Sequence, residues 1–373
     1  MTSCTPVPSA SDEVRAAIAG AEPNATTGRL SISFERFMEI ALYGPYGFYT
    51  AGGQAGRRGD FITSPEVGPL FGAVLARALD AWWRELGEPA EFTVVEAGAG
   101  PGTLARSIRA AAPECGAALR YVAVEVSDGQ RGQHPVGVDS RSTMPTEAIT
   151  GVVIANELLD NLAFRLFVMD GGWREAHVVA LPDGSFAEIL VVPGDLGTLE
   201  LPASAPHGAR IPVQQAAARW VVAARDTLLA GRLVLIDYAA PATRNLAARP
   251  WRQWLRTYRG HDRGEHYLRI VGEQDITADV AIDQLVAVLG EPDAVRTQSQ
   301  FLQHWGIESL VDEGRRIWAE QAARPTLAAM AMRSRVREAE ALLAEPGLGA
   351  FSVVEFAVHA NTASLPGLRG YCS

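Results

Sequence analysis

An α/β fold on a doubly wound parallel sheet is what this sequence predicts, and two patterns predict it. From Phe92 onward the short apolar runs FTVVEAG, RYVAVEV, GVVIANE and RLVLIDY alternate with helix-period segments, the pattern of a sheet with helices on both faces. The first run passes directly into a glycine loop, Glu96-Ala97-Gly98-Ala99-Gly100-Pro101-Gly102, ahead of a helix that opens near Thr103.

The elements follow in order. SISFERFMEIALYG spaces Phe34, Phe37, Met38 and Leu42 for one helix face. The next stretch, GPYGFYTAGGQAGRRGDFITSPE, has no sustained period and reads as a long loop; VGPLFGAVLARALDAWWREL then resumes a helical pattern that stops at Gly87 and Pro89. After the helix near TLARSIRAAAP come RYVAVEV, a short PVGVDS strand and GVVIANE. Asp-Gly-Gly and Asp-Gly turns between β-rich runs from Leu162 to Gly194 predict an antiparallel meander inserted into the core. Beyond RLVLIDY lies a polar insert, then a helix over about 281–289, and DAVRTQSQFLQHWG and FSVVEFAVHA read as two closing strands with amphipathic helices between them.

Composition narrows the function. A formal net charge of −10 repels polyanions and argues against nucleic acid as a partner, while favouring cationic ones. All 33 basic residues are arginine, so Schiff-base and lysine-base chemistry are excluded. Cys4, Cys115 and Cys372 lack metal-ligand spacing, and His261 and His266, five apart, do not form a helical zinc pair. The N-terminus has no charged start followed by an apolar stretch, and no run approaches the roughly 18 apolar residues of a membrane span. A cytoplasmic protein without membrane contact is the expectation, with no metal.

The glycine loop carries the sharpest chemistry. Gly98, Gly100 and Gly102 permit a tight turn and close ligand approach, and the amides at the following helix start suit an anionic group. Glu96 stands two residues before the first glycine, and Glu125, closing the next strand twenty-three residues after Gly102, is placed to accept from a pair of ribose hydroxyls. This GxGxG spacing resembles class I S-adenosylmethionine-dependent methyltransferases rather than the GxGxxG of nicotinamide and flavin folds.

Flanking segments narrow the resemblance. GPYGFYT, GDFITSPEVGPLFG, VVEAGAGPGTL, ANELLDNLAF, VLIDYA, LRTYRGH and GEQDITADVAIDQL, in that order over residues 44–285, resemble the MidA-like methyltransferases, a family that includes the mitochondrial complex I assembly factor that methylates arginine in a protein. The loop departs from the family's E-x-G-P-G-x-G in the place of its proline, and NELLDNLA departs from N-E-F-F-D-A-L-P in its aromatic pair and proline.

The resemblance implies a class I methyltransferase Rossmann-like sheet at 91–373, with insertions at about 163–215 and 240–280, and an N-terminal segment, 1–90, covering S-adenosylmethionine with Asp60, Thr63, Ser64, Pro65 and Glu66. Ser64 with Pro65 and Glu66 also reads as a plain helix start. Glu157 and Asp160, delivered to the sheet edge by GVVIA, are candidates to clamp an arginine guanidinium and take up its proton, with Asn156 orienting the cofactor or the loop. The alternative for both carboxylates is a helix cap or an ion pair with arginine. His261 and Asp275 are candidates for the acceptor side, with a cap on the following helix as the alternative for Asp275; Asp237 and Tyr238 are candidates at the same sheet edge, and Tyr43, Tyr46, Phe48 and Tyr49 are candidate aromatic walls or ordinary packing. The expected partner is a protein or peptide carrying arginine, and a homodimer is allowed. A small-molecule methyltransferase and a non-catalytic scaffold stand as alternatives.

Overall fold

Residues 8–51, 63–196, 200–260 and 262–360 are described by the computed structural model. Seven strands make its main sheet: β1 (Phe92–Ala97), β2 (Leu119–Val124), β3 (Asp139–Arg141), β4 (Ile149–Asn156), β5 (Leu228–Asp237), β6 (Ala294–Thr297) and β7 (Ser352–Val358). They lie in the order β3-β2-β1-β4-β5-β7-β6. The first five run parallel, and β7 is antiparallel to both β5 and β6.

Burial on both faces explains the near-continuous apolar character of β1 and β4. Alternate side chains go to opposite layers. Val94, Val152, Ile154, Val234 and Ile236 pack against the helices Pro69–Glu85, Thr103–Ala110, Ile307–Gln321 and Leu327–Leu343. Val95, Val153, Leu233 and Leu235 pack against Gln215–Asp226 and Ile282–Leu289. The Pro69–Glu85 helix starts on a proline, whose missing N–H costs nothing there, and buries Leu70, Phe71, Val74, Leu75, Leu79 and Trp82.

A separate apolar cluster forms around the insertions. The helices Ala10–Ala19 and Phe34–Tyr43 pack on a five-stranded sheet of Ile32–Ser33, Arg165–Met169, Trp173–Ala180, Phe186–Val191 and Arg210–Val213. The meander and its Asp-Gly turns are therefore as expected. The insert after β5, polar by composition, contains a three-stranded sheet (Leu255–Arg259, Asp262–Arg263, Asp275–Ala278) and buries Trp254, Leu255, Tyr267 and Ile276 in the same cluster.

Two local expectations are corrected. DAVRTQSQFLQHWG is a strand only as far as Thr297; there a capping box with Gln300 starts a helix, Gln298–His304. The 44–66 stretch is not all loop, since Phe48–Ala51 and Ser64–Val67 each form a helical turn. No helix among the described residues is long and apolar enough to cross a membrane.

The central register leaves no room for a side chain at one place. Gly151 of β4 pairs with Thr93 of β1 and Gly231 of β5. A Cβ on Gly151 would stand 1.9 Å from the Thr93 carbonyl oxygen, at a φ of +152°. Gly151→Ala is expected to lose about 2–4 kcal/mol of unfolding free energy in urea titration, and a loss under about 0.5 kcal/mol would contradict this strand packing.

Candidate active site

β1 and β4 are neighbours, yet β2 lies beyond one and β5 beyond the other, so the chains leaving their carboxyl ends diverge. Open α/β sheets bind ligands in the crevice this reversal leaves. A cavity of 410 Å³ occupies it. Its wall includes Glu96, Gly98 and Gly100 from the glycine loop, Glu125 after β2, Asn156 and Glu157 after β4, and Thr63, Pro65, Glu66, Tyr43 and Tyr49 from the N-terminal part.

Gly98, Gly100 and Gly102 take φ of +71°, +53° and +78°, which lets the loop wrap the mouth of β1; Gly102 stands off the wall, as the N-cap of the Thr103–Ala110 helix. The Gly100 N–H donates to Glu125 Oε2 at 3.0 Å and the Ser127 N–H to Oε1 at 2.8 Å. Glu125 is thus locked to the loop while each oxygen keeps a lone pair for a ligand. Beneath the loop, Glu96 is 4% exposed and accepts from the Tyr121 hydroxyl at 2.7 Å. Burial pushes its carboxyl up to about 8, against the opposing pull of Tyr121 and Arg106.

Glu157 is a non-glycine residue at φ +52°, a conformation that costs about 1–3 kcal/mol and needs support from its surroundings. Its backbone N–H donates to the Ile236 carbonyl at 2.8 Å, and the Asn156 Nδ2 donates to its Oε1 at 3.2 Å. Burial, then the neighbouring Asp160 carboxylate, pushes Glu157 up to about 8, with Asn156 and the Ser64 backbone N–H acting the other way. Asn156 Oδ1 is buried without a hydrogen-bond partner among the described residues.

Asp160 is brought close but does not reach the wall. It is 3% exposed, its Oδ1 has no partner among the described residues, and burial and Asp237 hold its carboxyl well above the usual range. Asp237 does not face the cavity; its carboxylate caps the turn, accepting from the N–H groups of Leu159 at 2.9 Å and Asp160 at 3.3 Å. Tyr238 also stands off the wall and packs on Phe351, ring centroids 4.1 Å apart. Asp275 is 2% exposed, off the wall, and accepts from the hydroxyl of Tyr49 at 3.0 Å. Burial raises it to about 6.

Ser64 neither caps nor lines. Thr63 is the N-cap of the Ser64–Val67 turn without a side-chain bond, and the fully buried Ser64 hydroxyl donates to Gln298 Oε1 at 2.8 Å. Tyr46 and Phe48 are off the wall, and Asp60 and His261 lie outside the described residues. Sequence reasoning assigned no role to Gln130, Met144, Asn161, Leu162 and Trp220, all of which line the cavity. Asn161 stood in the same NELLDNLA segment and was open to detection; Met144 and Trp220 carry no signal beyond apolar periodicity.

Two of these carboxyls make stability depend on pH. Glu96 and Glu157 keep their protons up to about 8 in the fold but ionise from the ordinary value of 4.5 once unfolded. Between those values the folded chain binds more protons, so their contribution is whole below about pH 4.5 and drains as pH rises through 8. The melting temperature of the unliganded protein is expected to fall from pH 5 to 8, with a shallower slope in Glu157→Gln; an unchanged slope in that variant would refute the assignment.

Residues 74–300 match the family model described as "Putative S-adenosyl-L-methionine-dependent methyltransferase". A crystal structure from Burkholderia thailandensis, bound to S-adenosyl-homocysteine, superposes with a TM-score of 0.77 at 27% identity over 95% of each chain. Among curated relatives, the protein arginine methyltransferase NDUFAF7 homolog of Drosophila melanogaster is 30% identical over 43% of this chain and 44% of its own length. Protein arginine methyltransferase NDUFAF7 of Danio rerio is 25% identical over 76% of this chain and 74% of its own. The chain thus spans less than half of the fly relative and about three quarters of the fish one. With the family match covering well over half of its length and a cofactor-type crevice at the strand reversal, this chain belongs to the MidA-like family of S-adenosylmethionine-dependent methyltransferases.

Proposed function

We propose that this protein methylates a guanidinium nitrogen of arginine in a protein or peptide. One observation carries the reading: among the described residues, the cavity wall presents four carboxyl groups, Glu66, Glu96, Glu125 and Glu157, and no basic side chain, in a chain with 33 arginines. Such a wall favours cations. Arginine appears in the names of the fly and fish relatives, which supports the same choice.

The residues fit the cofactor. Glu125 is fixed by two amides and has capacity for a diol, the glycine loop allows close approach, and Met144, Leu162 and Trp220 supply apolar surface for an aromatic base. When bound, S-adenosylmethionine supplies an electrophilic methyl group on a positively charged sulfur. Thr63, Pro65 and Glu66 line one side of the cavity.

Glu157 is the residue that faces the acceptor. A guanidinium is a donor-only group that stays protonated in water, so making one nitrogen nucleophilic requires an acceptor for its proton. Glu157 accepts one N–H and, once ionised, takes that proton; the unpartnered Asn156 Oδ1 accepts a second. Asp160 stands behind Glu157, off the wall.

Purified protein, incubated with S-adenosylmethionine and lysate from a strain lacking the gene, is expected to add methyl mass to arginine of a protein or peptide, read by mass spectrometry. Methyl gain on a small metabolite alone would replace this reading. With the acceptor so found, kcat/KM should climb between pH 6 and 9 with an apparent pKa near 8. Glu157→Gln should lose at least about 100-fold in rate and the pH rise with it, with S-adenosylhomocysteine affinity within about threefold. Wild-type rates in that variant would remove Glu157 from the chemistry.

A further inference from the structure

Asn161 follows Glu157 by four residues, lines the same cavity and is 5% exposed. Its Nδ2 donates into one group of acceptors on the Asp275–Ala278 strand: Asp275 Oδ1 at 3.0 Å and Oδ2 at 3.2 Å, the Ile276 carbonyl at 3.2 Å and Thr277 Oγ1 at 3.2 Å. Asp275 is saturated. Its Oδ1 also accepts from the Tyr49 hydroxyl at 3.0 Å and the Ile276 N–H at 2.8 Å, and its Oδ2 from Thr277 Oγ1 at 3.1 Å. A carboxylate offers about four acceptor sites, so Asp275 has nothing left for a ligand and acts on the cavity only through the groups it holds.

A carboxamide has one donor end and one acceptor end. With Nδ2 committed to Asp275 and its strand, Oδ1 turns the other way, and no described residue donates to it. Tyr43 clamps the same residue by donating to the Asn161 carbonyl at 3.2 Å, and its ring stacks on Tyr49 with centroids 5.5 Å apart. One tyrosine hydroxyl and one oriented amide are therefore held by a single buried carboxylate, and Tyr43 stacks on that tyrosine.

We infer that Asn161 is a specificity-determining residue, and Asp275 the positioning residue that turns its Oδ1 toward the methyl acceptor, so that the site selects an acceptor bearing N–H donors. The inference rests on the arginine reading above and extends it to a residue with no part in proton transfer. An acceptor that presents oxygen in place of nitrogen would set two lone pairs against each other out of water, which is how a buried polar site rejects a near-isostere.

Two synthetic peptides test it, one carrying arginine and the other citrulline in its place, titrated into protein saturated with S-adenosylhomocysteine. Wild type should favour the arginine peptide by at least about tenfold. In Asp275→Asn an NH₂ group meets Asn161 and reverses its amide; in Asn161→Leu the amide is gone. Both should cut the preference at least about fivefold while S-adenosylhomocysteine affinity stays within about twofold. Full preference in both variants overturns the inference. Absence of preference in wild type sinks the arginine reading instead, and the amide protons of Asn161 then decide. Slow exchange by NMR in wild type, lost in Asp275→Ala, upholds the positioning; fast exchange in wild type overturns it.

Discussion

Carboxyl groups withdrawn from water around one crevice are the constraint on which the rest of this structure depends. Glu96, Asp160, Asp237 and Asp275 are each less than 5% exposed. An isolated buried carboxylate is costly, and the fold answers in two ways. Glu125, Asp237 and Asp275 are wrapped in backbone N–H groups, amides and hydroxyls, and burial favours the neutral form of Glu96, Asp160, Glu157 and Asp237. Among the described residues no arginine lines the cavity wall, and the buried Arg256 is engaged by Asp279 at 2.6 Å. The potential of the crevice is thus preserved for ligands.

The parallel sheet makes this possible. Its strand ends deliver one acidic residue each to the same edge, Glu96 from β1, Glu125 after β2, Glu157 after β4 and Asp237 from β5. The strained backbone at Glu157 is where the chain departs from the strand direction and turns the carboxylate into the cavity, with the Ile236 carbonyl of β5 fixing the bend. Strain held by neighbouring structure at such a point is a usual companion of function.

What could be read in the sequence was what local chemistry encodes. The glycine loop and its flanking acids, the strands β1, β2, β4 and β5, and the Asp-Gly turns of the meander each depend on a few consecutive residues. Ser64 shows the opposite case: its neighbours make a good helix start, but its hydroxyl answers to Gln298, 234 residues away. Asp275 reads as a cap or a ligand from sequence, and its actual work, gathering Tyr49 and Asn161, appears only when three distant segments meet. Glu157 and Asp160 looked alike in sequence; the turn capped by Asp237 puts one on the wall and the other behind it.

Glu125 joins the glycine loop to the end of β2 through two backbone amides within the protein itself. The conformational entropy of that loop is therefore surrendered when the chain folds, and little remains to be lost when a ligand arrives. A site built this way grips through rigidity. Its affinity for the cofactor should owe less to ordering of the loop than to the surface it covers, leaving the freedom of the molecule concentrated elsewhere.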